Sequence, residues 1–148
     1  MNHLNSVVLE GVISSDPRLV TVSESGYKLV KFDVASHRRY KDKKGEMQDD
    51  VLFLTVLAWG ELSERCLSSL AKGMQCRVLG RLRLAKWKNK EGSERRSIEL
   101  VCDHVEFSRR KGTSSGVRKD EIVVFDQDPK DAERVEDAMR ESLVVYDF

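Results

Sequence analysis

Between Val7 and Phe107 several strand-like runs change character at every second residue, and one stretch takes up a helical spacing instead. Successive side chains of an extended backbone point to opposite faces, so this period is the mark of a strand with one face buried. It is clearest where Val30, Phe32 and Val34 alternate with Lys31 and Asp33. An earlier strand, Val7 to Ile13, stops at Ser15-Asp16-Pro17, where proline fixes φ for a turn. The turn Glu24-Ser25-Gly26 leads into the second strand. The third, Val51 to Trp59, carries Leu52, Leu54, Val56 and Ala58 on one parity and Phe53, Thr55, Leu57 and Trp59 on the other. Two apolar faces mean either burial on both sides or one side kept for a ligand.

The break in the rhythm is Glu61 to Lys72. There Leu62, Cys66 and Leu70 recur at helical spacing, and Gly73 is placed to stop the helix in the left-handed conformation. Alternation resumes from Met74 to Lys88 and again from Ser97 to Phe107, with Asn89 to Glu94 as the hairpin turn. Gly11 and Gly80 interrupt strand patterns where a closed sheet must bend. Three strands, a helix and two more strands predict an all-β chain: a five-stranded OB-fold barrel with one helix between its third and fourth strands.

Charge divides the chain. Residues 1–112 hold 21 Lys and Arg against 15 Asp and Glu, whereas residues 113–148 hold 5 against 10. Lys111 to Gly116 reads as a linker. The expected organisation is a barrel domain over 1–109 followed by a linker and short acidic tail over 110–148. Within the tail, a short helix from Asp131 to Ser142 would align Val135, Met139 and Leu143. A basic body points to a polyanionic ligand, and an acidic tail to a segment that repels that ligand or serves another partner.

Candidate binding residues follow from the alternation. On the fourth strand Arg81, Arg83, Ala85 and Trp87 share one face, opposite Leu82 and Leu84. Guanidiniums beside an indole suit unpaired nucleic acid, which offers phosphates to cations and bases to flat rings. A solvated edge strand explains the same pattern. Phe53 and Trp59 tilt the balance because they share a face of the third strand, although either ring also fits a core. Between Arg38 and Lys44 five basic residues surround Tyr40, a pattern that also fits a merely solvated hairpin tip. The last hairpin adds Lys88, Lys90, Arg95 and Arg96, diluted by Glu91 and Glu94.

Catalytic signatures are missing from the sequence: no phosphate-cradling glycine loop precedes a helix, and neither Gly-x-Ser-x-Gly nor His-Glu-x-x-His occurs. Asp49-Asp50 lacks partner acids at useful spacing. Cys66, Cys76 and Cys102, with His3, His37 and His104, lack metal-ligand spacing, so no metal and no cofactor is expected. No apolar run reaches a membrane span and the N-terminus does not read as a leader, so the expectation is a cytoplasmic, nucleoid-associated protein that is not an enzyme.

The chain resembles the bacterial single-stranded DNA-binding protein family over about residues 5–107. The matching segments include Asn5 to Gly11, Asp16-Pro17, Gly45-Glu46-Met47, Trp59 to Glu64, Leu70 to Arg83 and Lys86-Trp87. This resemblance implies sequence-tolerant binding of single-stranded DNA in replication, recombination and repair. It assigns base stacking to Tyr40, Phe53, Trp59 and Trp87. Phosphate contacts fall to Arg38, Arg39, Lys41, Lys43, Arg81, Arg83, Lys86 and Lys88. It further implies a homotetramer whose first strand joins the subunit contacts, and docking of replication and repair proteins on the tail tip. Here only Asp147 and Phe148 keep that tip's acid-plus-aromatic pattern, and no long Gly/Pro/Gln-rich linker precedes it. Leu54 and Thr55 stand where the family often places polar or basic residues. The alternative is an OB-fold adaptor, primosome-like, acting mainly through protein contacts at Val135, Met139 and Leu143.

Overall fold

The structure is a computed structural model that describes residues 1–22, 24, 26–111, 119–131 and 134. Its elements, in chain order, are β1 (Val7–Ile13), β2 (Arg18–Val22), β3 (Lys28–Lys41), β4 (Met47–Trp59), α1 (Gly60–Ser69), β5 (Gln75–Lys88), β6 (Glu94–Lys111), β7 (Lys119–Asp126) and a 3-10 turn (Pro129–Asp131).

Five of the strands close on themselves. β1 runs antiparallel to β5 and, at its far end, to β3, where Val12 lies opposite Ala35. β3 pairs antiparallel with β4, β4 lies parallel to β6, and β6 returns antiparallel to β5. The circuit β1–β3–β4–β6–β5 is the OB-fold barrel. Closure requires tight approaches, and two glycines provide them: a Cβ on Gly11 would sit 2.3 Å from the Ala35 carbonyl oxygen, and one on Gly80 1.9 Å from that of Val101. A register shift beside Gly80 marks the bend.

The interior is built from the parity that the sequence assigns to it. Phe32 and Val34 of β3, Val56 and Ala58 of β4, Val78 of β5, and Leu100, Cys102, Val105 and Phe107 of β6 form one buried cluster. α1 stops one end of the barrel with Leu62 and Cys66, and Leu70 follows them inward. Fully burying a side chain of this size is worth about 1.5–3 kcal/mol. Burial also pushes the Cys66 and Cys76 thiols up to about 12, and Cys102 well above its ordinary range, so these cysteines are apolar filling rather than nucleophiles.

Several expectations shift. α1 ends at Ser69 rather than Lys72, because Leu70 turns extended to enter the core while its N–H still reaches the Cys66 carbonyl at 3.0 Å. Gly73 does adopt φ +93°, but it turns the chain into β5, donating its N–H to Ile13 O at 2.8 Å. β2, which the sequence reading passes over, extends the sheet beyond β3. β6 runs to Lys111, and Lys119–Asp126, assigned to the tail, pairs along β6 as β7. Phe125 packs on Phe107 at 5.3 Å between ring centroids. The expected helix over 131–142 lies outside the described residues except for Asp131 and Arg134, and the tip residues Asp147 and Phe148 lie outside them entirely.

Candidate nucleic-acid interface

Residues directly opposite each other in a sheet share a face, so the pairing registers define what the barrel shows outward. One row crosses Asp33 on β3, Thr55 on β4, Glu99 on β6 and Arg83 on β5. The next crosses Lys31, Leu57, Val101 and Arg81. Phe53 of β4 and Trp87 of β5 lie toward one end of this face, and Leu29 and Trp59 meet at the other. The sequence had placed Arg81, Arg83, Ala85 and Trp87 on one strand face, and the register joins that face to the outward side of β4.

The four expected stacking rings have different environments. Phe53 is 67% exposed and Tyr40 41% exposed, while Trp87 is partly exposed. Trp59 is shut away at 1% exposure, among Leu29, Leu57 and Val101, and its ring faces are closed to a base in this structure. The choice left open for the third strand thus resolves by position. Val56 to Trp59 is buried on both faces, whereas Phe53, farther toward the hairpin tip, is open.

The basic residues are also unequally placed. Arg81 and Arg83 lie partly buried on the outward face beside Val101 and Glu99. β3 and β4 extend past the barrel as a hairpin whose turn is held by Asp42, which accepts from the Lys44 and Glu46 amides at 2.9 Å each. Those amides hold the Asp42 carboxyl below its usual range, with the Glu46 bond the largest cause. Arg39 and Lys41 continue the outward parity along this hairpin, with Lys43 in its turn. Arg38 lies on the reverse parity with Tyr40, its guanidinium 5.0 Å from the ring centroid. Asp50 and Asp49 stand opposite Arg38 and Arg39 and reduce the local positive field. Lys86 and Lys88 are exposed on the reverse face of β5, with Leu82 and Leu84. Those leucines are exposed too, together with Ile98, because the β5–β6 hairpin outruns the barrel interior.

Sequence reasoning missed two members of the outward face. Lys31 Nζ pairs with Glu99 Oε1 at 3.2 Å, and both side chains are buried. Burial lowers the Lys31 pKa, and Glu99 partly opposes that shift. Alternation reads Lys31 and Glu99 as ordinary solvent-facing charges, and nothing local in the sequence marks them as covered. Beside them Thr55 donates to Asp33 at 2.7 Å and Ser15 donates to its other oxygen at 2.8 Å.

A closed five-stranded barrel with rings and guanidiniums on its outward face defines an OB-fold binding module, the class that carries extended polymers across a barrel side. Residues 4–108 match the model of the Single-strand binding protein family. The chain is 31% identical over 111 residues to "Single-stranded DNA-binding protein 2" of Chlorobaculum tepidum, covering 75% of each chain. It is 34% identical over 121 residues to the "Single-stranded DNA-binding protein" of Aquifex aeolicus, covering 81% of each. Among solved structures, one described as "Plasmodium falciparum SSB complex with ssDNA" has the same fold, with a TM-score of 0.63 at 17% identity over 85% of this chain and 98% of that one. The chain belongs to the single-strand binding protein family.

Proposed function

We propose that this protein binds single-stranded DNA without strict sequence preference and performs no covalent chemistry. The observation that carries the reading is the meeting of Phe53, Trp87, Arg81 and Arg83 on one outward face of an OB barrel. The names of the relatives support it. Bases stack on Phe53 and Trp87, and Tyr40 offers a further ring on the projecting hairpin. Stacking discriminates poorly among bases because every base presents a π-face. Arg81 and Arg83 take phosphates on the barrel. Arg39, Lys41 and Lys43 continue the cationic path along the hairpin, and Arg38, Lys86 and Lys88 flank it.

Protection of unpaired strand in replication, recombination and repair follows from this activity, in the cytoplasm at the nucleoid. Self-association into a homotetramer fits the exposed apolar residues Val8, Leu82, Leu84 and Ile98, which a second copy would remove from water. Asp147 and Phe148 are the candidate docking point for replication and repair proteins.

Fluorescence anisotropy of labelled oligo-dT tests the proposal. The expected result is saturable binding, competed by unlabelled oligo-dA and oligo-dT and far less by duplex of equal length. Equal competition by duplex, or no binding at low salt, would refute it.

A further inference from the structure

Buried polar atoms without partners are rare in a folded chain, so a cluster of them marks a place where something is still to be bound. Among the described residues, four side-chain nitrogen or oxygen atoms are buried with no hydrogen-bond partner. Three of them, Trp59 Nε1, Arg83 Nη1 and Glu99 Oε2, belong to the outward face of the barrel. Glu99 and Arg83 stand directly opposite each other on β6 and β5. Glu99 is 5% exposed, and Lys31 Nζ holds its Oε1 at 3.2 Å. Oε2 is the acceptor left over, and Arg83 Nη1, on the neighbouring strand, is a donor left over. The fold does not force this. Asp33, in the same row, has both oxygens engaged: one accepts from the Thr55 hydroxyl at 2.7 Å, and the other accepts from the Ser15 hydroxyl at 2.8 Å and lies 3.5 Å from Arg18 Nη1.

A spare carboxylate oxygen beside a spare guanidinium N–H is satisfied by a group that presents a donor next to an acceptor. Every unpaired base has one. Thymine offers N3–H beside O4, guanine N1–H beside O6, cytosine N4–H beside N3, and adenine N6–H beside N1. These are the edges through which bases of single strands are held by side chains. An ionised carboxylate only accepts and a guanidinium only donates. Such a pair therefore discriminates weakly among the four edges but strongly between a free edge and one already taken, as every edge is in a duplex. The place also suits a stacked ligand. Phe53 stands one same-face step along β4 from Thr55, about 6.8 Å away, and Thr55 lies opposite Glu99.

We infer that Glu99 and Arg83 form a subsite for the free Watson–Crick edge of a base, with Lys31 as the positioning residue that holds the carboxylate. This rests on the reading of the outward face as the strand-binding face, and it adds a means of telling unpaired from paired strand that works on the base rather than on the backbone. Arg83 is the partly exposed member of the pair. Its side chain swings to admit the base, donates from Nη1 to the base's acceptor, and keeps its other N–H groups for phosphate. Glu99 Oε2 accepts from the base's donor. Two buried groups thus gain their partners only when an unpaired base arrives.

The test compares two strands of equal length against the full chain by anisotropy: oligo-dT, and its counterpart built from difluorotoluene nucleosides, which keep thymine's shape and π-face but lack its hydrogen-bonding edge. The unaltered protein should bind the counterpart about 5- to 100-fold more weakly, the range set by leaving buried polar groups unmet. A variant carrying Lys31→Met and Glu99→Met replaces both members of the ion pair by apolar side chains, a change that buried pairs often tolerate. It should bind the two strands almost alike, with circular dichroism verifying the barrel. Equal affinity of the unaltered protein for both strands overturns the inference and leaves the strand-binding reading intact. Undiminished discrimination by the variant puts the edge contact elsewhere and overturns it too. No binding of either strand defeats the strand-binding reading and the inference with it. Should the variant fail to fold, the unaltered chain bound to oligo-dT isotope-labelled at N3 decides. A thymine imino proton protected from exchange, with nuclear Overhauser contacts to Glu99 or Arg83, supports the subsite, and the absence of any protected imino proton refutes it.

Discussion

A methyl group is the smallest change that separates the barrel's requirements from those of its face. At Gly80 it would overlap the Val101 carbonyl, a backbone atom that cannot rotate away, so Gly80→Ala should cost about 1–3 kcal/mol or more, read as a lower urea midpoint. Phe53→Ala should do the reverse, leaving the midpoint almost unchanged because the ring is largely in water, while weakening oligo-dT binding by about 1–3 kcal/mol. Of the ring positions, Phe53 and Trp87 were legible as outward-facing from alternation and strand order. Trp59 was not, because period-2 patterning reports which side of a strand a residue takes but not whether that side is later covered. Lys31 and Glu99 were hidden for the same reason, since a charge on the outer parity reads as solvated until the whole outer surface is known.

At the scale of elements, β7 is the part of the fold least visible in the sequence. Its apolar run Ile122, Val123, Val124 and Phe125 was plain, but it follows a linker-like run and carries acids, so its place on β6 could not be read locally. One of its fastenings titrates. His104 on β6 is held by Asp126 of β7 through Nδ1 and by Glu106 at 3.0 Å through Nε2. The Asp126 bond first, and then the Glu106 bond, raise the histidine pKa above its ordinary 6.5. A raised folded-state value favours the docked strand fully below pH 6.5, and that support is lost as pH rises through the higher value. Amide exchange in β7, corrected for the intrinsic pH dependence, should therefore show less protection above that range, and His104→Gln should abolish the pH dependence. The helix end was misplaced for a related reason: Gly73 has the left-handed conformation expected, but the pull of Leu70 into the core ended α1 earlier.

The whole molecule is a barrel whose closure was legible because five strands and a helix in this order have few ways to bury alternating faces. Its three buried thiols should resist an aromatic disulfide reagent in the native state and react promptly in denaturant, whereas fast native labelling would mean that the end plugged by α1 opens. Binding through phosphates should weaken with salt, with a log–log slope of roughly −0.7 per phosphate neutralised, and replacing Arg81 and Arg83 together should make that slope shallower. The most direct check on the outward face as the DNA site is photocrosslinking of oligo-dT carrying 5-bromouracil, followed by peptide mapping of the attached residues. Crosslinks should concentrate at Phe53 and Trp87, with Tyr40 next. Crosslinks confined to the reverse face, around Leu82, Leu84 and Ile98, would contradict the assignment.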